Sequence, residues 1–178
     1  MISRTTVSAL VISASALVSI ALHESYRSDA YIPVPGDVPT IGFGTTHGVK
    51  PGDRTTPERA LVLLLSDADK YAKAVKKCAP VPMYQHEFDA MTSLTYNIGP
   101  GAFCNSTIAK RLRAGDYKGA CEGILAWDKF KGKPLRGLTK RRQAEYMMCI
   151  KNPEAAPSID TGRVAASGSG LSTNLQRD

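Results

Sequence analysis

Glu24 stands where an uncharged stretch meets a turn-rich one. Residues 7–22 carry no charged side chain, His23 intervenes, and Pro and Gly crowd residues 31–53. A carboxyl group held between a helix end and an apolar wall loses hydration, and desolvation disfavours its ionised form. A general acid working near neutrality needs that environment. One Glu at a helix end is ordinarily a solvated surface group, so its neighbours must decide. The other reactive side chains are Cys78, Cys104, Cys121 and Cys149, with no CxxC pair among them, so no metal site is expected. In an oxidising compartment the four would form two disulfides; in a reducing one they would be small buried hydrophobes. The count alone permits three connectivities.

The elements that must hold these residues follow from periodicity and punctuation. Residues 7–22 are apolar enough for a helix leading into Glu24. Pro33, Pro35, Gly36, Pro39, Gly42, Gly44, Gly48, Pro51 and Gly52 exclude a long helix over the next stretch. They predict short strands and tight turns, with Thr40-Ile41-Gly42-Phe43-Gly44-Thr45 as the best strand. Thr56-Pro57-Glu58 opens a long amphipathic helix ending near Lys77. A break at 80–82 precedes a helix on which Phe88, Met91, Leu94, Thr95 and Ile98 share a face, stopped by Gly99-Pro100-Gly101. Ser106 is expected to cap a short helix, Asp116 one running to Trp127, and Thr139 one ending before Pro153. Residues 154–178 are rich in Gly, Ser and Ala and predict a flexible tail. Strands early and helices late describe an α+β fold.

The chain of 178 residues is long enough for one core, and 43% hydrophobic with 22% charged residues excludes wholesale disorder. The formal charge of +7 favours acidic partners without choosing among nucleic acid, membrane and cell wall. The basic run Lys140-Arg141-Arg142 reads as a solvated face. At the N-terminus, Arg4 before residues 7–22 leaves three readings open. These are a cleavable signal peptide with Ala14-Ser15-Ala16 at the cut, a buried helix, and a weak anchor that later leaves the bilayer.

Taken together, Glu24, Ala30-Tyr31, Gly36 and Thr40-Ile41-Gly42-Phe43-Gly44 resemble the signature of phage-type lysozymes of glycoside hydrolase family 24. The resemblance continues through Tyr96-Asn97-Ile98-Gly99, Gly101-Ala102-Phe103 and Asn105-Ser106-Thr107. It resumes at Ala114-Gly115-Asp116-Tyr117, Trp127 and Gly137-Leu138-Thr139-Lys140-Arg141-Arg142. The family's usual pattern is Glu, eight residues, Asp or Cys, five residues, Thr. Here Pro33 occupies the Asp/Cys position counted from Glu24, Val34 occupies it counted back from Thr40, and the interval is one residue longer. Asp37 in the intervening turn is the best candidate for the second acid and Asp29 a weaker one. Gly36-Asp37 is also ordinary turn chemistry.

The resemblance implies a lysozyme-like fold, with a small N-terminal β-lobe and a larger helical C-terminal lobe. It implies an endolysin muramidase cutting the β-1,4 bond between N-acetylmuramic acid and N-acetylglucosamine in peptidoglycan. Glu24 would protonate the leaving oxygen, and Thr40, with or without Asp37, would place water or stabilise the oxocarbenium-like state. Tyr96, Asn97 and Ser106 would line the cleft. No metal or cofactor is implied, and the chain is expected to be a monomer that does not bind nucleic acid. Without a second carboxylate, a lytic transglycosylase on the same bond is the alternative. A basic non-enzymatic module would explain the charge but not the Glu–Thr pattern.

Some family members carry a signal-arrest-release segment, and residues 1–23 are similar in character. The expectation is export to the periplasm, transient tethering in the inner membrane through residues 7–22, then refolding that sets Glu24 opposite Thr40. The catalytic domain would be residues 24–153 and the tail 154–178. The first 77 residues hold no cysteine, so disulfide exchange within that segment is excluded as a trigger. The family's helix packing favours Cys121–Cys149, leaving Cys78–Cys104.

Overall fold

The computed structural model describes residues 3–33 and 36–151. The expectations for the tail and for Val34 lie outside the described residues. The apolar N-terminal run is not one helix. Residues 7–9 form a 3-10 turn, an extended link follows, and α1 spans Ala14–His23. The physical reason is Ser13, whose hydroxyl accepts from the Ala16 amide and starts the helix there. Ala16 and Ile20 face inward, while Val7 and Leu10 join the main core.

The β-lobe pairs β1, Arg27–Tyr31, antiparallel with β2, Thr40–Gly42. Register slips between Arg27↔Gly42 and Tyr31↔Thr40, giving β1 the extra residues of a bulge. Gly42 has φ +65°, and a Cβ there would sit 2.9 Å from that of Ala60. Only glycine lets the strand lie this close to the next helix.

That helix, α2, runs Pro57–Cys78, with the Thr56 hydroxyl accepting from Arg59 N as the sequence predicts. α3, Gln85–Ile98, is the central helix, and nine consecutive residues from Glu87 to Thr95 are buried. Gly99 ends it, but Pro100 also opens a further helix, α4, Pro100–Asn105, where only a stop was expected. α5, Thr107–Arg113, and α6, Tyr117–Gly123, have Ser106 and Asp116 as their caps. A minimal hairpin of β3, Lys129–Phe130, and β4, Lys133–Pro134, was not anticipated. The last helix, α7, spans Arg136–Cys149 and begins before Thr139, whose hydroxyl instead ties Asp128 and the Leu135 carbonyl.

Phe88, Met91, Leu94, Phe103, Ile108, Leu112 and Ile124 form the centre of the helical core. Each is removed from water almost completely, worth roughly 1.5–3 kcal/mol per side chain. Disulfides join Cys78 to Cys104 and Cys121 to Cys149, the pairing that the resemblance favours. The first ties the end of α2 to α4, and the second ties α6 to the end of α7. The observed architecture is α+β with a small β-lobe and a larger helical lobe.

Candidate active site

Glu24 is the first residue beyond α1. Its amide still bonds back to the carbonyls of Ile20 and Ala21, so the helix end fixes its backbone. Its side chain enters a hollow of about 240 Å3 lined also by Gly44, Thr46, His47, Asp67, Lys70, Tyr71, Tyr96 and Asn97. These come from four places: the end of α1, the turn after β2, the middle of α2 and the end of α3. The hollow is therefore the seam between the lobes. A slightly larger hollow, about 270 Å3, lies beside Arg4 and Tyr117, but its carboxylate, Glu87, is already taken by Arg4.

Gly44 is a second position where glycine is required. Its φ is +94°, and a Cβ would meet Tyr96 Oη at 3.5 Å and Glu24 Oε2 at 3.7 Å. Tyr96 donates its phenol proton to the Phe43 carbonyl at 2.9 Å, joining α3 to the β-lobe across the seam. Burial pushes that phenol well above the ordinary tyrosine range, and the negative charges of Glu24 and Asp67 push it further. Tyr71 packs on Tyr96 with ring centroids 4.9 Å apart and is raised by burial, then by Asp67 and Glu24. Both phenols are therefore permanent hydrogen-bond donors at neutral pH. Asp67 itself accepts from the Thr45 hydroxyl at 2.7 Å.

Behind Glu24 lies a charge network. Arg141 Nη1 donates to Glu24 Oε1 at 2.8 Å, and Arg141 Nε reaches Glu145 at 3.1 Å. Arg142 Nη2 donates to the Asn97 side-chain oxygen at 2.9 Å. Arg141 is 5% exposed and Arg142 is 0%, so this basic run is not the solvated face that the sequence suggested. Only Lys140 is exposed. His23, beside Glu24, is held below the usual imidazole range, first by burial and then by the Arg141 charge.

The expected site residues divide. Glu24, Tyr96 and Asn97 meet in the hollow; Asp37, Thr40 and Ser106 do not line it. Asp37 is on the exposed turn before β2, where its Oδ1 accepts from the Val38 amide. Thr40 is buried, and its hydroxyl donates to the Val38 carbonyl. The hollow is lined on this side by Gly44, Thr46 and His47, from the turn after β2. Ser106 is buried at the start of α5, accepting from Ala109 N and donating to Phe103 O. Asp29 is paired with Arg54 at 2.9 Å. The Ser28 hydroxyl and then the Arg54 charge hold its carboxyl below the usual range. Asp67, Lys70, Tyr71 and His47 were not expected at the site, and Arg141 was read only as part of a solvated basic run. The spacing of Asp67, Lys70 and Tyr71 on one helix face was the available signal for those three.

The sequence and the fold are similar to those of known proteins. The phage lysozyme family model matches residues 21–145. The endolysin of Acyrthosiphon pisum secondary endosymbiont phage 1 is 42% identical over 138 residues, covering 75% of this chain and 94% of its own. The SAR-endolysin of Pseudomonas phage phiKMV is 34% identical, over 78% of this chain and 88% of its own. Among solved structures, the muramidase domain of SpmX from Asticaccaulis excentricus superposes with a TM-score of 0.75 at 30% identity. It spans 80% of this chain and 99% of that one. A point mutant of P22 lysozyme gives a TM-score of 0.72 at 31% identity, with the same coverage. With the two-lobed fold, the Glu24 cleft and a family match spanning both lobes, this chain belongs to the phage lysozyme family.

Proposed function

We propose that this lysozyme is an endolysin muramidase that cuts the glycan strands of peptidoglycan with Glu24 as its proton donor. The observation that carries the reading is the position of Glu24. It is the carboxyl at the end of α1 that faces the inter-lobe cleft, backed by Arg141 and flanked by the phenols of Tyr96 and Tyr71. A glycan strand threaded along the seam would present its bridging oxygen to Glu24, with Asn97 and the tyrosines as hydrogen-bonding partners for the sugars. Proton transfer to that oxygen lets the C–O bond break as positive charge grows on the sugar ring. A carboxylate or a placed water must answer that charge.

Asp37 is our first choice for the second carboxylate. It sits on an exposed turn of the β-lobe, among the described residues only its Oδ1 is engaged, and β2 begins with Thr40 just beyond it. A second reading rests on Asp67, which shares the cleft with Glu24 and is held by Thr45. Asp37→Asn and Asp67→Asn separate them: the true partner loses most of its turnover and the other retains it. Digestion of purified peptidoglycan, with fragments weighed, tests the reaction type. Reducing-end muramic acid marks hydrolysis, and anhydro-muramic ends mark a transglycosylase.

We further propose that residues 7–22 first tether the exported chain to the inner membrane and later fold into the domain. Its SAR-endolysin relatives support this reading. Among the described residues no helix is long and apolar enough to cross a membrane, so any tethered form must differ here from the folded one. Enzyme appearing first in the membrane fraction and later in the soluble one is the expected result. Full activity after removal of residues 1–20 would refute the refolding.

A further inference from the structure

Glu145 lies one helical turn beyond Arg141 on α7, with its side chain only 1% exposed. Ser93 Oγ donates to its Oε1 at 2.7 Å, and Arg141 Nε donates to the same oxygen at 3.1 Å. Arg142 Nε lies 3.0 Å from Oε2, a charge contact without hydrogen-bond alignment. Each arginine then reaches past Glu145 to a different cleft residue. Arg141 holds Glu24 Oε1 at the end of α1, and Arg142 holds Asn97 Oδ1 near the end of α3. One buried carboxylate therefore stands behind two residues of the cleft.

We propose that Glu145 is the positioning residue of this active site: it anchors Arg141 and Arg142, thereby orients Glu24 and Asn97, and supplies the counter-charge to the guanidinium that is bonded to Glu24. The proposal rests on the reading of Glu24 as proton donor. Two adjacent guanidiniums are tolerable in a dry interior only with their counter-charge present. Without Glu145, Arg141 would bear on Glu24 alone and favour its ionised, catalytically idle form. Burial already draws Arg142 below the ordinary guanidinium range, against the opposing pull of Glu145.

The other groups facing this region do not replace Glu145. Glu24 is faced by Tyr96 from α3, by Asp67, Lys70 and Tyr71 from α2, by His47 from the turn after β2, and by Arg141. His23 from α1 feels Arg141, Arg142, Glu24 and Glu145 together, and its lowered range leaves it largely neutral at pH 7. Of these groups, Arg141 is the one bonded to Glu24, and Glu145 is its carboxylate partner on α7.

Glu145→Gln keeps the side-chain shape and removes the charge, whereas Glu145→Asp keeps the charge. Both are compared with wild type and Glu24→Gln for peptidoglycan cleavage across pH, each checked for a cooperative melt. For Glu145→Gln we expect kcat to fall by roughly tenfold or more, and the alkaline limb of the rate profile to move acid-ward. Glu145→Asp should keep that limb in place. If Glu145→Gln does not fold, the charge-balanced Arg142→Gln/Glu145→Gln pair replaces it, with kcat again expected to fall roughly tenfold but with the limb at its wild-type position. A folded variant of either kind with wild-type kcat overturns the proposal, as does an unmoved limb in Glu145→Gln. If Glu24→Gln is inactive at the same time, only the positioning role fails; an active Glu24→Gln overturns the proton-donor reading and this proposal together.

Discussion

Replacing Arg4 by Gln should loosen the whole N-terminal segment, and the size of the effect can be worked from its contacts. Arg4 forms a two-point ion pair with Glu87, Nη2 to Oε1 at 2.7 Å and Nε to Oε2 at 3.0 Å. Its guanidinium lies 3.7 Å from the Tyr117 ring centroid and 4.5 Å from that of Tyr84. The hydrogen bonds it donates to Glu87 hold Arg4 above its ordinary range against the cost of burial. The neighbouring Thr5 exchanges backbone bonds with Met83 in both directions. Breaking a buried pair costs about 3–5 kcal/mol. Arg4 is 32% exposed and Glu87 only 5%, and Glu87 keeps the Tyr84 amide as a partner, so solvent screening reduces that figure. About 2–3 kcal/mol remains, or roughly 4–12 °C in Tm for a chain of this length. Thermal unfolding of full-length Arg4→Gln with both disulfides intact is the assay, and Arg4→Lys should fall in between. A Tm unchanged within about 1 °C would show that Val7, Leu10 and the Thr5–Met83 bonds hold the segment without the Arg4 pair, and refute the clamp.

Ser106→Ala should leave glycan cleavage within about twofold of wild type while costing about 1 kcal/mol of stability, as the loss of a helix cap does. A large rise in KM without a change in Tm would return Ser106 to the substrate. For His23, the folded-state value lies below the unfolded one, so the unfolded chain binds the extra proton. Its contribution is whole above the unfolded value, near pH 6.5, and is lost as pH falls from there through the lowered folded value. Tm of His23→Gln should therefore fall less steeply below about pH 6.5 than that of wild type. Parallel curves would contradict this.

What was legible in the sequence was local. Thr56, Ser106 and Asp116 cap helices through bonds to amides three residues on, so their roles follow from short spacing. Glu24 was legible because it joins an apolar run to a turn-rich one. Arg141, 117 residues away, was not, because it meets Glu24 only through the tertiary packing of the helices, α7 against α3, and not through its own sequence neighbours. Reading residues 7–22 as one helix failed at Ser13, a cap among apolar residues whose amide is also claimed by Asp89. Gly99-Pro100-Gly101 read as an end, although proline at a first helical position opens α4 as readily. Asp37 and Thr40 were named from a motif whose spacing is one residue longer here, and their hydrogen bonds are local ones to Val38, so sequence spacing alone does not fix their distance from Glu24.

The most direct test of the account is digestion of purified peptidoglycan by wild type and Glu24→Gln, with both shown to be folded and disulfide-bonded, and with the released fragments weighed. Muropeptides with reducing-end muramic acid are expected from wild type and none above background from Glu24→Gln. The same fragments released at wild-type rate by Glu24→Gln would contradict it.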